Sequence, residues 1–373
     1  MSDYSRLIDI FEKLVSIRSV TGDRATAAEC LTYAEAILDK AGLLIDRFSS
    51  NGFESLVATT RRTKSPMVLL QAHLDVVPGP ARLFKLRGEG PRLVGRGAYD
   101  MKYAAACFLH MVEEMGQACA RYDFGIMLTT DEETDGRNGV GYLLDQGYSC
   151  KMCLLPDGGD NWRIESRAKG LWQVEARASG RSAHGSRPWE GDNAAVRLMQ
   201  FALQAEALAP LGSHTDTTLV TTRLNAGKAY NQVPDSATAT FDIRFLTMED
   251  YTQTEKRLRA LADEHDVRLI DVSRAAPVEL DVMLPLVKEW ERIVAEVRGS
   301  DAPDGYALSF GASDARYFAD VGIPTILTRP EGGGLHGSDE WIDEGGLYQF
   351  SDCIRRYIQA VTALDATLAP VDA

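Results

Sequence analysis

The stretch Met67–Asp75, MVLLQAHLD, is an apolar run that ends in a histidine and a carboxylate. Five of the six residues Met67–Ala72 are apolar and none is charged, which predicts a strand buried on both faces of a mostly parallel sheet. Because side chains alternate along a strand, His73 and Asp75 project to the same face. A carboxylate beside an imidazole can orient it toward a metal ion, although a histidine that only hydrogen-bonds a neighbour also fits this pair.

Further apolar strands are predicted along the chain, and an acidic residue or a histidine follows each of them. They are Phe124–Thr130, followed by Asp131-Glu132-Glu133; Met152–Leu155, followed by Asp157; and Ile323–Thr328, followed by a glycine-rich loop that contains His336. In open α/β sheets, ligands bind at the carboxyl ends of the strands. The repeated pattern therefore favours one shared site over unrelated strand ends.

Asp100 lies in the stretch Leu93–Lys102, LVGRGAYDMK, just before the predicted helix Tyr103–Met115. From its spacing alone, an N-cap is the commoner role for such an aspartate. The pair Gly95-x-Gly97 is too incomplete to indicate a phosphate-binding loop, which argues against a nucleotide-binding α/β protein.

Length and composition predict two domains and exclude some classes of partner. The 373 residues, 45% of them hydrophobic, suffice for two cores. A formal net charge of −14 without a basic block argues against nucleic acid or an anionic membrane as a partner. The N-terminus is amphipathic, unlike a signal peptide, and no apolar run is long enough to span a membrane. Six cysteines in a chain of this length do not make a disulfide framework, so we expect a cytoplasmic protein.

The segment 169–281 has a different periodicity from the rest of the chain. Its alternating strands and amphipathic helices follow the order β-α-β-β-α-β, which is that of a ferredoxin-like unit. We therefore predict an inserted domain, residues 169–281, in a discontinuous first domain, residues 1–168 and 282–373. The predicted fold class is α/β: a phosphorylase/hydrolase-like, mostly parallel sheet flanked by helices, with a ferredoxin-like α+β insertion.

Convergence of the acidic and histidine residues at the strand ends would create a metal site. The residues concerned are His73, Asp100, Glu132, Glu133, Asp157 and His336. Four carboxylates in one crevice raise one another's pKa, and bound divalent cations remove that repulsion. Three carboxylates and one hydroxide balance the charge of two Zn²⁺ ions, which favours two metals over one. Imidazole and carboxylate ligands suit zinc, with cobalt or manganese as alternatives, and argue against calcium.

Eight stretches, spread over both predicted domains, share the pattern and order of one protein family. They are QAHLDVVP, GRGAYDMK, TTDEETDG, LLPDGG, GRSAHGSRPWEGDNAA, NQVPDSATATFDIR, GASDARYF and GGGLHGSDE. With them the chain resembles the dizinc metallopeptidase family of acetylornithine deacetylase, succinyl-diaminopimelate desuccinylase, aminoacylase and glutamate carboxypeptidase. The resemblance implies that the inserted domain is a lid and the interface of a homodimer.

The resemblance also implies a set of metal ligands. Asp100 would bridge both metals and would be followed by a cis peptide bond. His73 and Asp157 would complete the binding site of one metal. Glu133 and His336 would complete that of the other.

Three more residues receive catalytic roles from the resemblance. Asp75 would orient the imidazole of His73. Glu132 would be the general base, which takes a proton from a water or hydroxide bridging the metals and passes it to the leaving nitrogen. His184 would act across the dimer, in the active site of the partner subunit, as a donor to the tetrahedral oxyanion.

Four residues are implied as substrate contacts. Arg244 would bind the substrate's α-carboxylate with its planar guanidinium, although a solvated strand arginine is the alternative. Asn231 and Lys169 would be further contacts, and Gly311 would offer a backbone amide to the same carboxylate.

The implied activity is hydrolysis of the amide bond of an N-acyl amino acid or a small peptide with a free carboxylate. The sequence does not separate a deacylase from a carboxypeptidase or dipeptidase. A non-catalytic, metal-binding dimeric scaffold or sensor is the alternative, and Glu132 argues against it because such a protein needs no base beside its metals.

Overall fold

The computed structural model describes residues 4–210, 212–311 and 313–364. These residues form two compact units. The first contains residues 4–166, 280–308 and 313–364, and the second contains 167–210, 212–279 and 309–311. The unit boundaries differ by two residues from the predicted domain boundaries, and residues 309–311 were predicted in the first domain. The assignment of the second unit as a lid and dimer interface stays a prediction.

The chain forms short and long strands in both units. They are β1 (Leu44–Ser50), β2 (Phe53–Thr59), β3 (Val68–His73), β4 (Arg87–Glu89), β5 (Arg92–Val94), β6 (Phe124–Thr129), β7 (Met152–Leu154), β8 (Glu165–Ala168), β9 (Gly170–Ser179), β10 (Thr218–Ala226), β11 (Ser236–Phe245), β12 (Val267–Ala275), β13 (Val278–Glu279), β14 (Ala307–Ser309), β15 (Thr325–Ile326), β16 (Gly332–Gly333) and β17 (Trp341–Asp343).

Most helices belong to the first unit. The helices are α1 (Ser5–Ser16), α2 (Arg24–Lys40), α3 (Lys102–Met115), α4 (Tyr142–Asp145), α5 (Ala194–Glu206), α6 (Met248–Glu264), α7 (Pro285–Arg298), α8 (Ala315–Asp320) and α9 (Glu344–Val361). None of the helices described is both long and apolar enough to cross a membrane.

The first unit is built on a six-stranded sheet with the order β1-β2-β6-β3-β7-β15. β3 is parallel to both β6 and β7, and β7 is parallel to β15. All six residues of β3 and of β6 are buried, because helices cover both faces of a parallel sheet. The carboxyl ends of these four strands therefore lie at the same edge, and the predicted mostly parallel α/β sheet is confirmed.

Helix α3 packs in the middle of the first unit. Its first eleven residues, Lys102–Val112, are all buried, and it contacts α1, α2, α9 and β3. The fully buried Lys102 donates to the carbonyls of Leu14 (2.9 Å) and Ile17 (2.7 Å) at the end of α1. These two bonds satisfy a buried charge and fix the start of α3, two residues after Asp100.

The second unit is the predicted ferredoxin-like fold. Its sheet has the order β10-β11-β9-β12, and all neighbouring pairs are antiparallel. Buried and half-exposed residues alternate along β11, and α5 and α6 pack on the sheet. Asn193 caps α5 through the amides of Ala195 and Val196, and Thr247 caps α6 through the amide of Asp250. These caps fix where each helix begins on the sheet.

Candidate metal centre

The strand ends of the first unit bring together two groups of three possible ligands. One group contains His73, Glu132 and Asp157, and the other contains Asp100, Glu133 and His336. Within each group, the ligand atoms lie within 4.8 Å of one another. The structure thus brings together all six residues that the sequence analysis placed in one crevice.

Asp100 links the two groups. Its Oδ1 lies 2.9 Å from Nε2 of His73, and its Oδ2 lies 3.2 Å from Nε2 of His336. His336 Nε2 also lies 3.2 Å from Glu133 Oε2. A carboxylate that presents one oxygen to each imidazole has the arrangement that a bridging ligand needs.

The surroundings of Asp100 differ from two of the expectations. Helix α3 begins at Lys102 and its N-cap position is Met101, so Asp100 does not cap the helix. The implied cis peptide bond after Asp100 is wrong for this structure, because all described peptide bonds are trans. A trans bond avoids the roughly 3 kcal/mol that a cis bond costs before a residue other than proline.

Asp75 contacts both His73 and the loop after β6. Nδ1 of His73 lies 3.0 Å from the backbone oxygen of Asp75 and 3.5 Å from its Oδ1. The Asp75 carboxylate accepts the amides of Glu132 (3.3 Å) and Glu133 (3.2 Å) and the hydroxyl of Thr21 (2.9 Å). Asp75 therefore holds the backbone of two acidic residues of the site in addition to its contact with the imidazole.

Three of the four carboxyl groups of the site, those of Glu132, Glu133 and Asp157, are destabilised as anions. Burial, with added repulsion from Asp100, raises the pKa of Glu132 and of Asp157 well above their usual range. Burial also raises the pKa of Glu133 to about 7. These groups are enclosed together at a strand edge and compete for protons. A bound cation would replace those protons.

The pKa of both histidines is raised, although burial by itself lowers the pKa of an imidazole. Burial alone lowers the pKa of His73, but hydrogen bonds to Asp100 and Asp75 outweigh it and raise the pKa. The hydrogen bond to Asp100 raises the pKa of His336 as well. Burial alone would raise the pKa of Asp100, but its bonds to both imidazoles lower it instead. Imidazole nitrogens that face carboxylate oxygens form the mixed donor set that zinc binds, so the residues fit a dinuclear centre.

Sequence reasoning missed the polar contacts of Gln71, which lies two residues before His73 on β3. Gln71 is the one polar residue within the apolar run Met67–Ala72, and its fully buried amide donates to Thr129 Oγ1 (3.2 Å) and Asp314 Oδ2 (3.3 Å). Gln71 shares its strand face with His73, so the amide in an otherwise apolar run was the available signal.

The second unit contains the other five candidate residues. His184 and Asn231 lie on adjacent segments, because Gly185 donates its amide to the Asn231 carbonyl (2.7 Å) and His184 forms a bridge with Gln232. Nδ1 of His184 accepts the amide of Ser186 at 3.2 Å. A neutral imidazole that accepts at Nδ1 carries its proton on Nε2.

Lys169 and Arg244 line a cavity of about 420 Å³ within the second unit. Phe310 is also in its wall, with the Lys169 ammonium 5.7 Å from the ring centre, and the exposed Gly311 follows it. The Arg244 guanidinium is paired with Asp242 through two bonds of 2.7 and 3.2 Å. The guanidinium is thus held by a carboxylate of its own strand, and both the substrate contact and the ordinary strand arginine stay predictions.

The family model described as peptidase family M20/M25/M40 matches residues 69–361. A succinyl-diaminopimelate desuccinylase of Corynebacterium glutamicum is 26% identical over 335 residues, which cover 86% of this chain and 86% of the relative.

Solved structures share the fold. A tripeptidase of Staphylococcus aureus superposes with a TM-score of 0.79 at 20% identity, over 97% of this chain and 99% of that one. A dinuclear metal-binding peptidase of Bacillus subtilis superposes with a TM-score of 0.69 at 14% identity, over 96% and 99% of the two chains. At these identities the likeness shows the fold alone.

Proposed function

The chain belongs to peptidase family M20/M25/M40, and we propose that within this family of hydrolases it cleaves the amide bond of an N-acyl amino acid or a small peptide with a free carboxylate. One observation supports the proposal above the others: Asp100 joins two groups of three metal-binding side chains at one strand edge. The names of the relatives, a desuccinylase and a tripeptidase, support amide hydrolysis in general and leave the acyl group open.

The residues at the strand edge would hold two divalent metal ions, Zn²⁺ in the first place and Co²⁺ or Mn²⁺ as alternatives. We assign His73 and Asp157 to one ion, Glu133 and His336 to the other, and Asp100 to both. The ions would polarise the scissile carbonyl and make the attacking water more acidic. The name of the Bacillus subtilis structure, a dinuclear metal-binding peptidase, supports the number of two ions and not the assignment of single ligands.

Glu132 would move the proton in this reaction. Its carboxylate would accept a proton from the attacking water and deliver it to the leaving nitrogen. Without that proton, the nitrogen would have to leave as an anion, which is a poor leaving group. The Asp75 carboxylate accepts the backbone amide of Glu132 and thereby fixes the position of the Glu132 backbone. Tyr103 donates its hydroxyl to the carbonyl of Pro156 (2.7 Å), which fixes the backbone before Asp157.

The second unit would bind and polarise the substrate. The Nε2 proton of His184 would be donated to the oxyanion in the active site of a second copy of the chain, which requires a homodimer. Arg244 would bind the substrate carboxylate, with Lys169, Asn231 and the Gly311 amide as further contacts. All six cysteines are buried and free, as suits the expected reducing cytoplasm.

A substrate panel tests the proposed activity. We expect the zinc- or cobalt-loaded enzyme to hydrolyse at least one member of a set of N-acyl amino acids and dipeptides in a steady-state assay. Removal of the ions with a chelator should lower the rate by at least about 10²-fold, because the carbonyl then lacks its Lewis acids. Activity that survives chelation would contradict the metal mechanism. No turnover on any member would favour a metal-binding scaffold.

Arg244→Met tests the proposed carboxylate contact. We expect the Michaelis constant for a carboxylate-bearing substrate to rise about 10- to 100-fold, which corresponds to a lost charged hydrogen bond of roughly 1.5–3 kcal/mol. The same substrate with an amidated terminus should be hydrolysed equally by both enzymes. Arg177→Met is the matched control, because Arg177 lies on the neighbouring strand β9 and is paired with Glu175, two residues before it, as Arg244 is with Asp242. Equal constants for the wild type and Arg244→Met would remove this role.

A further inference from the structure

A buried ion pair lies beside the candidate metal centre in the first unit. Arg96 Nη1 donates to Glu340 Oε2 at 2.6 Å, and the two residues are 2% and 0% exposed. Arg96 follows β5, and Glu340 directly precedes β17. Removing two charges from water is costly, so a pair in this position must make several further bonds to be stable.

Glu340 binds the backbone at Asp100. Its second oxygen, Oε1, accepts the amide of Tyr99 at 2.8 Å and the amide of Asp100 at 3.0 Å. Both amides precede α3 and have no helical partner. The Glu340 carboxylate therefore fixes the main chain of the residue that would bridge the two metals.

Arg96 binds the backbone at His336. Its Nη2 donates to the carbonyls of His336 (3.3 Å), Gly337 (3.0 Å) and Pro78 (3.3 Å). His336 has a φ of +58°, in the left-handed region that residues with a Cβ seldom adopt. Such a backbone persists where its surroundings hold it, and the guanidinium binds the carbonyls on this turn.

We propose that Arg96 and Glu340 are positioning residues for the metal ion held by Asp100, Glu133 and His336. One guanidinium and one carboxylate connect the backbones of Asp100 and His336, whose side chains lie 3.2 Å apart between Oδ2 and Nε2. The pair thereby sets the separation of two ligands that lie 236 positions apart in the chain. The inference rests on the proposed two-metal function.

The other ion would depend less on this pair. His73 is the last residue of β3, and its ring is held by the backbone oxygen of Asp75 at 3.0 Å. Asp157 follows β7, and hydrogen bonds to β3 and β15 hold β7 in the sheet. His336, by contrast, lies in a loop and its side chain is 53% exposed. Loss of the Arg96–Glu340 pair should therefore weaken the two sites unequally.

Cobalt binding to two variants tests the proposal. Arg96→Met combined with Glu340→Leu replaces the pair by apolar side chains, which leaves no unpaired buried charge and preserves stability better than a single change. In Glu340→Gln, an amide oxygen can still accept the two backbone amides. The control is Arg47→Met with Glu35→Leu, which removes a 2.6 Å pair of the same unit outside the centre.

The readouts are the number and affinity of bound Co²⁺ ions, by calorimetric titration, and the visible absorption of the loaded protein. We expect two ions in the wild type and in the control. The double variant should bind the second ion, that of Glu133 and His336, about 10- to 100-fold more weakly, with an altered spectrum, as is typical when the supports of metal ligands are lost. The other ion should be weakened less, because it shares only Asp100 with this site. Glu340→Gln should lower the affinity for the second ion about fivefold. The amide keeps the two backbone bonds and loses the bond from Arg96, and one hydrogen bond has about this value.

Each outcome has a separate meaning. Fewer than two ions in the wild type would contradict the proposed function itself. Two ions of wild-type affinity in the double variant would overturn the positioning role. Equal weakening of both ions would also overturn it, because the pair would then only stabilise the fold. If circular dichroism shows that the double variant does not fold, Glu340→Gln decides alone, and an unchanged second affinity there would overturn the proposal.

Discussion

Glu132→Gln is expected to lower kcat by about 10²- to 10⁴-fold while the chain retains both metal ions, because this is the range that a positioned general base contributes. Glutamine has nearly the same shape as glutamate, so the loop should keep its structure. Its amide cannot accept the proton of the attacking water. Steady-state kinetics on a substrate from the panel, together with elemental analysis of the same preparation, measures both quantities.

The structure gives this experiment a second purpose. The Glu132 carboxylate lies within 4.8 Å of the ligand atoms of His73 and Asp157, so it could bind a metal instead of acting as a base. A ligand role predicts loss of metal in Glu132→Gln, whereas a base role predicts loss of rate alone. Glu133→Gln is the matched control, since we assign the neighbouring Glu133 as a ligand and expect it to lose metal. An unchanged rate in Glu132→Gln would remove Glu132 from the mechanism.

Buried parallel strands were readily predicted because their sequences are continuously apolar. The predicted strands Met67–Ala72 and Phe124–Thr130 differ by one residue at their ends from β3 and β6. Of the predicted run Ile323–Thr328, only Thr325 and Ile326 form the strand β15, which pairs with β7. The family suggested by the eight sequence stretches is confirmed by the match to residues 69–361.

Features that depend on distant pairing could not be predicted. Strands β4, β5, β16 and β17 form a four-stranded sheet, and each has three residues or fewer, which is too short for a periodic signal. Residues 309–311 join the second unit through a bond from the Lys169 amide to the Ser309 carbonyl (3.1 Å), which spans 140 positions. Local sequence contains no information on such contacts.

The candidate site shows the same division. Acidic residues and histidines after apolar runs predicted which side chains of the first unit meet, because parallel strands share one edge. The pattern did not show that the Asp75 carboxylate accepts the amides of Glu132 and Glu133. Arg96 and Glu340 both lie in recognised stretches, but their positions are 244 apart, so only the fold shows that they pair. The residues of the second unit came from the family resemblance, and their roles stay predictions.

His184→Ala is expected to lower kcat by about 10²- to 10³-fold, the cost of one oxyanion donor, without loss of metal. The proton of its imidazole is available on Nε2, because Nδ1 accepts the Ser186 amide. If the histidine acts on a second copy of the chain, a His184→Ala subunit should be rescued by a subunit that keeps His184 but cannot bind metal. Asp100→Ala provides such a subunit.

Mixing the two inactive variants therefore separates action across a dimer from action within one chain. Random exchange of equal amounts gives about half heterodimers, and one restored site in each gives about a quarter of the wild-type activity. The restored site belongs to the His184→Ala subunit, which has its metals and borrows the partner's histidine. Asp100→Ala mixed with Glu132→Gln is the matched control, since both defects then lie in residues that serve their own chain and no site is repaired. Exchange can be verified with differently tagged chains. Heterodimers without activity would show that His184 does not act across the interface, because every other component of a working site would then be present.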